Sequence, residues 1–250
     1  MSDLTRRRFI ELALGSASGF LIAGCAPAPP ESPPTAGASP PLMPRATLVR
    51  GQIVENENRR DRNIRYFKPF VPPTPEDWRM TIGGLVNAPL TMDFADMQQL
   101  PYLEQVSRMK CVECWSFRAG WGGFALASLL EHVQPSPAAE YLRLKCADGY
   151  WEILSVGDLL RERVLFAYRM DGEFLADEYG SPLRLMVPWK YGYKGAKCIT
   201  GLEFVAEPGP GYWPTVGPYS ISGDIERGYD VPQETGTRVE ITEPGKELAY

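Results

Sequence analysis

Residues 110–116 read KCVECWS. Two cysteines, Cys111 and Cys114, stand three positions apart in a chain that has one histidine. A thiol in such a place packs in a core, closes half a disulfide, acts as a nucleophile or ligates a metal. The single histidine, His132, narrows the list. It lies in GFALASLLEHV, where Phe124, Leu126, Leu129, Leu130 and Val133 recur at helical spacing and predict an amphipathic helix. A Ser-His-Asp triad has only this one badly placed base. Zinc sites rich in histidine are excluded. A thioredoxin-like dithiol needs a βαβ setting that the flanking order does not offer. A four-thiolate zinc site would draw on Cys111, Cys114, Cys146 and Cys198, but the chain has no second C-x-x-C.

Working outward, the chain alternates short strand and helix signals without regular βαβ order. DWRMTIGGLV reads as a strand, and TMDFADMQQL as a short helix capped by Thr91 or Asp93. YLRLKCADGYWEIL reads as a hairpin whose Asp148-Gly149 suits a primed two-residue turn. Ser155 with Asp158 caps another short helix, and Asp171-Gly172 marks a further turn. PLRLMVP and CITGLEFV read as strands, the first of them buried. This mixture predicts an α+β fold with mixed sheets and short helices, not a doubly wound dinucleotide fold. No Gly-rich phosphate fingerprint or internal repeat is present. The formal charge of −5 argues against nucleic-acid binding.

A second constellation is GSPLRLMVPWKYGYKGAK, residues 180–197. It holds Arg184, Lys190, Lys194 and Lys197 with no acid between them, and Gly192 and Gly195 admit close backbone approach. Arginine and lysine with exposed amides suit a phosphate or another anion. Trp189, Tyr191 and Tyr193 interleave with the cations as a ligand wall would.

The N-terminal residues carry a different message. Thr5-Arg6-Arg7-Arg8-Phe9-Ile10 before a short apolar stretch resembles a bacterial twin-arginine export signal. Leu21-Ile22-Ala23-Gly24-Cys25 resembles a lipobox with Cys25 as the lipidated residue. The Pro-, Ala- and Ser-rich run that follows reads as a tether that cannot bury a core. The expected organisation is a signal peptide over 1–24, a tether over 25–44 and a mature folded domain over 45–250. The expected location is the periplasm or outer face of the cytoplasmic membrane, with a lipid anchor.

CVECWS, then GFALASLLEHV, then GSPLRLMVPWKYGYKGAK resembles, in that order, the molybdopterin-binding domain of the sulfite oxidase superfamily. Within it, the chain is most like the periplasmic protein-methionine-sulfoxide reductase catalytic subunits. The resemblance implies the sulfite-oxidase-type fold, one Mo-molybdopterin and no haem. It makes Cys111 the one protein thiolate on molybdenum, a soft anionic donor. By position it implies pterin and phosphate contacts from Arg184, Gly195, Ala196 and Lys197. Asn63, Tyr66 and Phe67 fall where an Asn-x-x-aromatic segment flanks the same cofactor. Cys146 and Tyr179 depart from the reductase pattern, which has threonine and asparagine there. Cys114 is not the usual residue at its place; tuning the site, forming a disulfide and having no role are the alternatives, the last favoured.

The implied reaction is oxygen-atom transfer, with reduction of a sulfoxide, such as methionine sulfoxide, first. The alternatives are a sulfite-oxidase-like dehydrogenase and a pterin-binding lipoprotein without catalysis. Sulfite would need cations, for which Arg118 and Lys190 are the candidates. A neutral sulfoxide would need a donor and an apolar wall, for which Trp121, Trp189 and Tyr191 are the candidates. Electrons would pass through a separate partner such as a membrane haem protein. The last forty or so residues, acidic and rich in Gly and Pro, read as a wrapping tail too short for an immunoglobulin-like dimerisation domain, which implies a monomer.

Overall fold

The computed structural model describes residues 68, 70–113, 115–232 and 235–242. The expected signal peptide, tether, Cys25, Asn63, Tyr66, Phe67 and Cys114 all lie outside them. In chain order the elements begin with β1 (Arg79–Gly84), β2 (Leu90–Asp93), α1 (Phe94–Met97), β3 (Leu103–Lys110), β4 (Ser116–Phe124) and α2 (Ala127–Val133). The middle of the chain forms β5 (Tyr141–Cys146), β6 (Trp151–Ser155), α3 (Val156–Leu159), β7 (Leu165–Met170) and β8 (Glu173–Phe174). Then come β9 (Arg184–Met186), β10 (Ile199–Val205), α4 (Tyr212–Val216), β11 (Tyr229–Asp230) and β12 (Val239–Glu240). Two 3-10 turns, Asp177–Tyr179 and Gly192–Lys194, bracket β9.

One sheet runs β2-β1-β10-β5-β6, and β1 lies parallel to β10 while its other pairs are antiparallel. The other runs β3-β4-β7-β8, with β9 on the opposite end of β7. This is the mixed α+β arrangement that the pattern predicts. Alternation explains the first sheet. In β1, Met80 and Ile82 are buried while Arg79 and Thr81 are exposed. In β5, Leu142, Leu144 and Cys146 face inward. They pack with Trp78, Phe124, Phe166 and Phe204 in the larger core. A smaller core forms on the second sheet from Met109, Trp115, Phe117, Trp121 and Met186.

Local signals held at both predicted caps. Asp93 accepts from Asp96 N–H, and Asp96 accepts from Asp93 N–H, so the helix start is a reciprocal box. Ser155 Oγ accepts from Asp158 N–H at 3.0 Å. The turn reading was half right. Asp148-Gly149 does not make a two-residue primed turn: only Gly149 has positive φ (84°), and Cys146 N–H donates to Tyr150 C=O across a three-residue loop. The Asp148 carboxylate accepts from Tyr150 N–H instead. The primed turn is at Asp171-Gly172, where φ is 51° and 84° and Met170 pairs with Glu173.

Residues beyond Glu207 wrap as the composition suggests. Tyr191 N–H donates to Gly223 C=O at 2.8 Å, and Ile225 N–H to Trp189 C=O at 2.9 Å. Lys194 Nζ donates to Ile221 C=O, and Lys110 pairs with Asp230. The acidic tail thus lies on the basic loop, which complements its charge.

Candidate functional site

Cys111 sits at the tip of the β3–β4 hairpin. Lys110 pairs with Ser116, and Cys111 N–H closes the loop onto Trp115 C=O at 2.8 Å. The thiol is half-buried and packs, with Tyr179, at the edge of the smaller core. Trp115 stacks on Phe117, and Phe117 meets Tyr179 edge-on, so aromatic rings wall this side.

Two cations stand near it. Arg184 is 1% exposed, donates from Nη1 to Tyr179 C=O at 2.9 Å, and lies 5.1 Å over the Trp121 ring. Lys197 donates from Nζ to Glu178 C=O at 2.8 Å. Burial, and after it the Arg184 guanidinium, push the Lys197 ammonium down to about 7; Asp148, Glu178 and Cys111 act in the other direction. Two like charges brought together, one buried and one half-buried, suit an anion beside them. Glycines make the room. A Cβ on Gly180 would meet Lys197 Cβ and Cγ at 2.9 Å, and one on Gly195 would meet Leu185 O at 2.8 Å and Arg184 Nη2 at 3.1 Å. Ala196 is buried, and its C=O accepts from Leu185 N–H. Cys146 is buried beside this cradle. Burial, above all, pushes its thiol well up, while the Lys197 backbone N–H draws it down. A soft thiol, a buried arginine, a half-buried lysine and a cradle without side chains fit a phosphate-bearing metal–dithiolene group.

The structure therefore brings Cys111, Cys146, Arg184, Gly195, Ala196 and Lys197 into one region. It treats the substrate candidates differently. Trp121 is fully buried and donates from Nε1 to Ser107 C=O, so it is core. Lys190 is buried between Asp158 at 3.0 Å and Asp224 at 2.7 Å, so its charge is already matched. Tyr191 is 1% exposed beneath Ile225. Trp189 is half-buried under the Arg161 guanidinium, and its Nε1 has no acceptor among the described residues. Arg118 stands half-buried opposite Arg108.

Asp148, missed from the sequence, supports the cradle. It is 3% exposed and acts electrostatically on Lys197, Cys146 and Cys198. Its turn position hid it, because turn aspartates are ordinarily solvated. Lys194 and Glu152, both fully buried, form an ion pair that was also missed. Strand alternation could have found it, since it puts Glu152 on the inward face with Leu154.

Residues 68–213, more than half of the chain, match the family described as the oxidoreductase molybdopterin binding domain. The chain belongs to that family. Among similar proteins is the protein-methionine-sulfoxide reductase catalytic subunit MsrP of Ralstonia nicotianae, 33% identical over 177 residues. Its counterpart in Burkholderia mallei is 32% identical over the same length. Both matches cover 64% of this chain and 54% of the relative, so the chain spans about half the length of the curated relatives it matches. Among solved structures, the sulfane dehydrogenase SoxCD of Paracoccus pantotrophus is similar, with a TM-score of 0.52 and 22% identity over 55% of this chain and 40% of that one. That likeness is one of fold: mixed sheets with short helices, the sulfite-oxidase type that the motifs imply.

Proposed function

We propose that the chain is an exported oxidoreductase that binds one Mo-molybdopterin and reduces a sulfoxide, with methionine sulfoxide the leading substrate. The observation that carries the reading is the half-buried Cys111 thiol beside the buried Arg184 and the half-buried Lys197. When bound, the cofactor supplies a two-electron couple suited to oxygen-atom transfer. Everything else is the work of the chain. Cys111 offers one soft ligand from a hairpin tip fixed by its own backbone bond. Arg184 and Lys197 hold the phosphate end and orient the group. Trp115, Phe117 and Tyr179 keep water from one side of the thiol. An apolar wall suits a neutral sulfoxide better than a dianion. The matched charge of Lys190 weighs the same way, because it removes one of the two cations that sulfite would use.

The names of the MsrP relatives support the sulfoxide reading. In this reading two electrons and two protons convert the sulfoxide to sulfide and water, and the electrons come from a separate partner such as a membrane haem protein. The twin-arginine stretch and Cys25 take the folded chain to the outer face of the cytoplasmic membrane, where it acts as a monomer.

Two measurements test this. Protein from a molybdenum-replete host should contain about one molybdenum per chain, and dye-reduced protein should reoxidise on addition of a sulfoxide. Reduction by sulfite without any response to sulfoxides would replace the reading with sulfite oxidation. Cys111→Ser should be exported and folded but lose nearly all turnover, because a hydroxyl is a far weaker donor than a thiolate at neutral pH. Full activity in that variant would overturn the ligand assignment.

A further inference from the structure

The β3–β4 hairpin has a second face. Met109, Phe117 and Trp121 point into the smaller core. By register and alternation, Val106, Arg108 and Lys110 on β3 and Ser116, Arg118 and Gly120 on β4 share the opposite face. Three cations thus stand in one patch. Lys110 is answered by the protein itself, through Asp230 and the Tyr229 C=O. The two arginines are not. Arg108 and Arg118 are direct cross-strand partners, and neither makes an ion pair or side-chain hydrogen bond among the described residues. Asp171, near the same strand, spends its carboxylate on Gly120 N–H.

Like charges directly opposite one another destabilise a strand pair. The cost grows when one is buried, and Arg108 is only 8% exposed. Burial, followed by Arg118, pushes the Arg108 guanidinium down from its usual value. Arg118 is half-buried, and Val106 beside it is 45% exposed, so the patch opens to solvent at that end. Two guanidinium forks held side by side match an ion with several oxygens.

We propose that Arg108 and Arg118 form a binding site for a small inorganic oxyanion such as sulfate or phosphate, on the face of the hairpin away from the Cys111 aromatic wall. The depth of Arg108 favours a small ion over a carboxylate presented on a partner's backbone. Asp230 on Lys110 shows the same face accepting a negative oxygen from within. The site stands independently of the proposed activity.

The test is calorimetric titration of sodium sulfate into the purified full chain, with sodium chloride holding ionic strength constant. The wild type should show saturable binding that weakens about tenfold or more in Arg118→Gln. Arg184→Gln should leave it intact, which separates this site from the phosphate cradle. Where glutamine does not fold, Arg118→Lys keeps the charge without the fork and should weaken sulfate in the same direction. Absence of saturable binding in the wild type, or its loss in Arg184→Gln alone, would overturn the proposal. So would binding of a hexaglutamate peptide without binding of sulfate.

Discussion

At the scale of the residue, Lys197 shows how packing shifts a charge. Its charge is disfavoured by burial and by Arg184, with a value of about 7. In the unfolded chain a lysine titrates at about 10.4. Between these values the unfolded chain holds a proton that the folded chain lacks, so stability rises with pH across that window. Below about 7 the cost of the charged lysine is fully present. Urea unfolding of the cofactor-free protein should therefore show greater stability at pH 9 than at pH 7, and Lys197→Met should flatten that rise. Arg184, Gly195 and Lys197 stood out because cations and glycines are packed into one acid-free run, whereas Ala196 came only with the family resemblance. Arg108 and Asp148 were not legible, since nothing in a lone arginine or a turn aspartate says that tertiary packing will bury it.

At the scale of the element, the 3-10 turn Asp177–Tyr179 and the glycine after it aim β9 at the cradle. Gly180 has φ of 106°, a conformation that side chains rarely adopt, and a Cβ there would press on Lys197 and Arg184. Gly180→Ala should cost about 1–3 kcal/mol of stability through strain and crowding. It should also lower molybdenum content per folded chain, read by metal analysis beside a thermal melt. An unchanged metal content would separate the glycine from the cradle. The strands and caps were readable because alternation and N-cap chemistry are local. The Asp148 hairpin was misread because Asp-Gly admits both a two-residue turn and a three-residue loop with glycine in the left-handed region. The cross-strand register decides between them, and register belongs to the sheet.

At the scale of the whole molecule, the C-terminal residues join separated parts of the basic loop. Lys194 and Glu152 form a pair with no exposure, and Lys194 also donates to Ile221 C=O. Burial pushes the Glu152 carboxyl up and the Lys194 ammonium down, each against the pull of the other. Removing one partner leaves an uncompensated buried charge, so Glu152→Ala should cost about 3–5 kcal/mol. The double variant Glu152→Met with Lys194→Met should recover most of that, as read by denaturant midpoints. The order of synthesis gives the Lys110–Asp230 contact a further meaning. Its carboxylate leaves the ribosome 120 residues after the lysine it neutralises, and that lysine adjoins Cys111. A chain terminated before Asp230 would leave a buried ammonium next to the thiol with its carboxylate missing. The lysine beside the thiol is thus charge-balanced only once translation has passed Asp230.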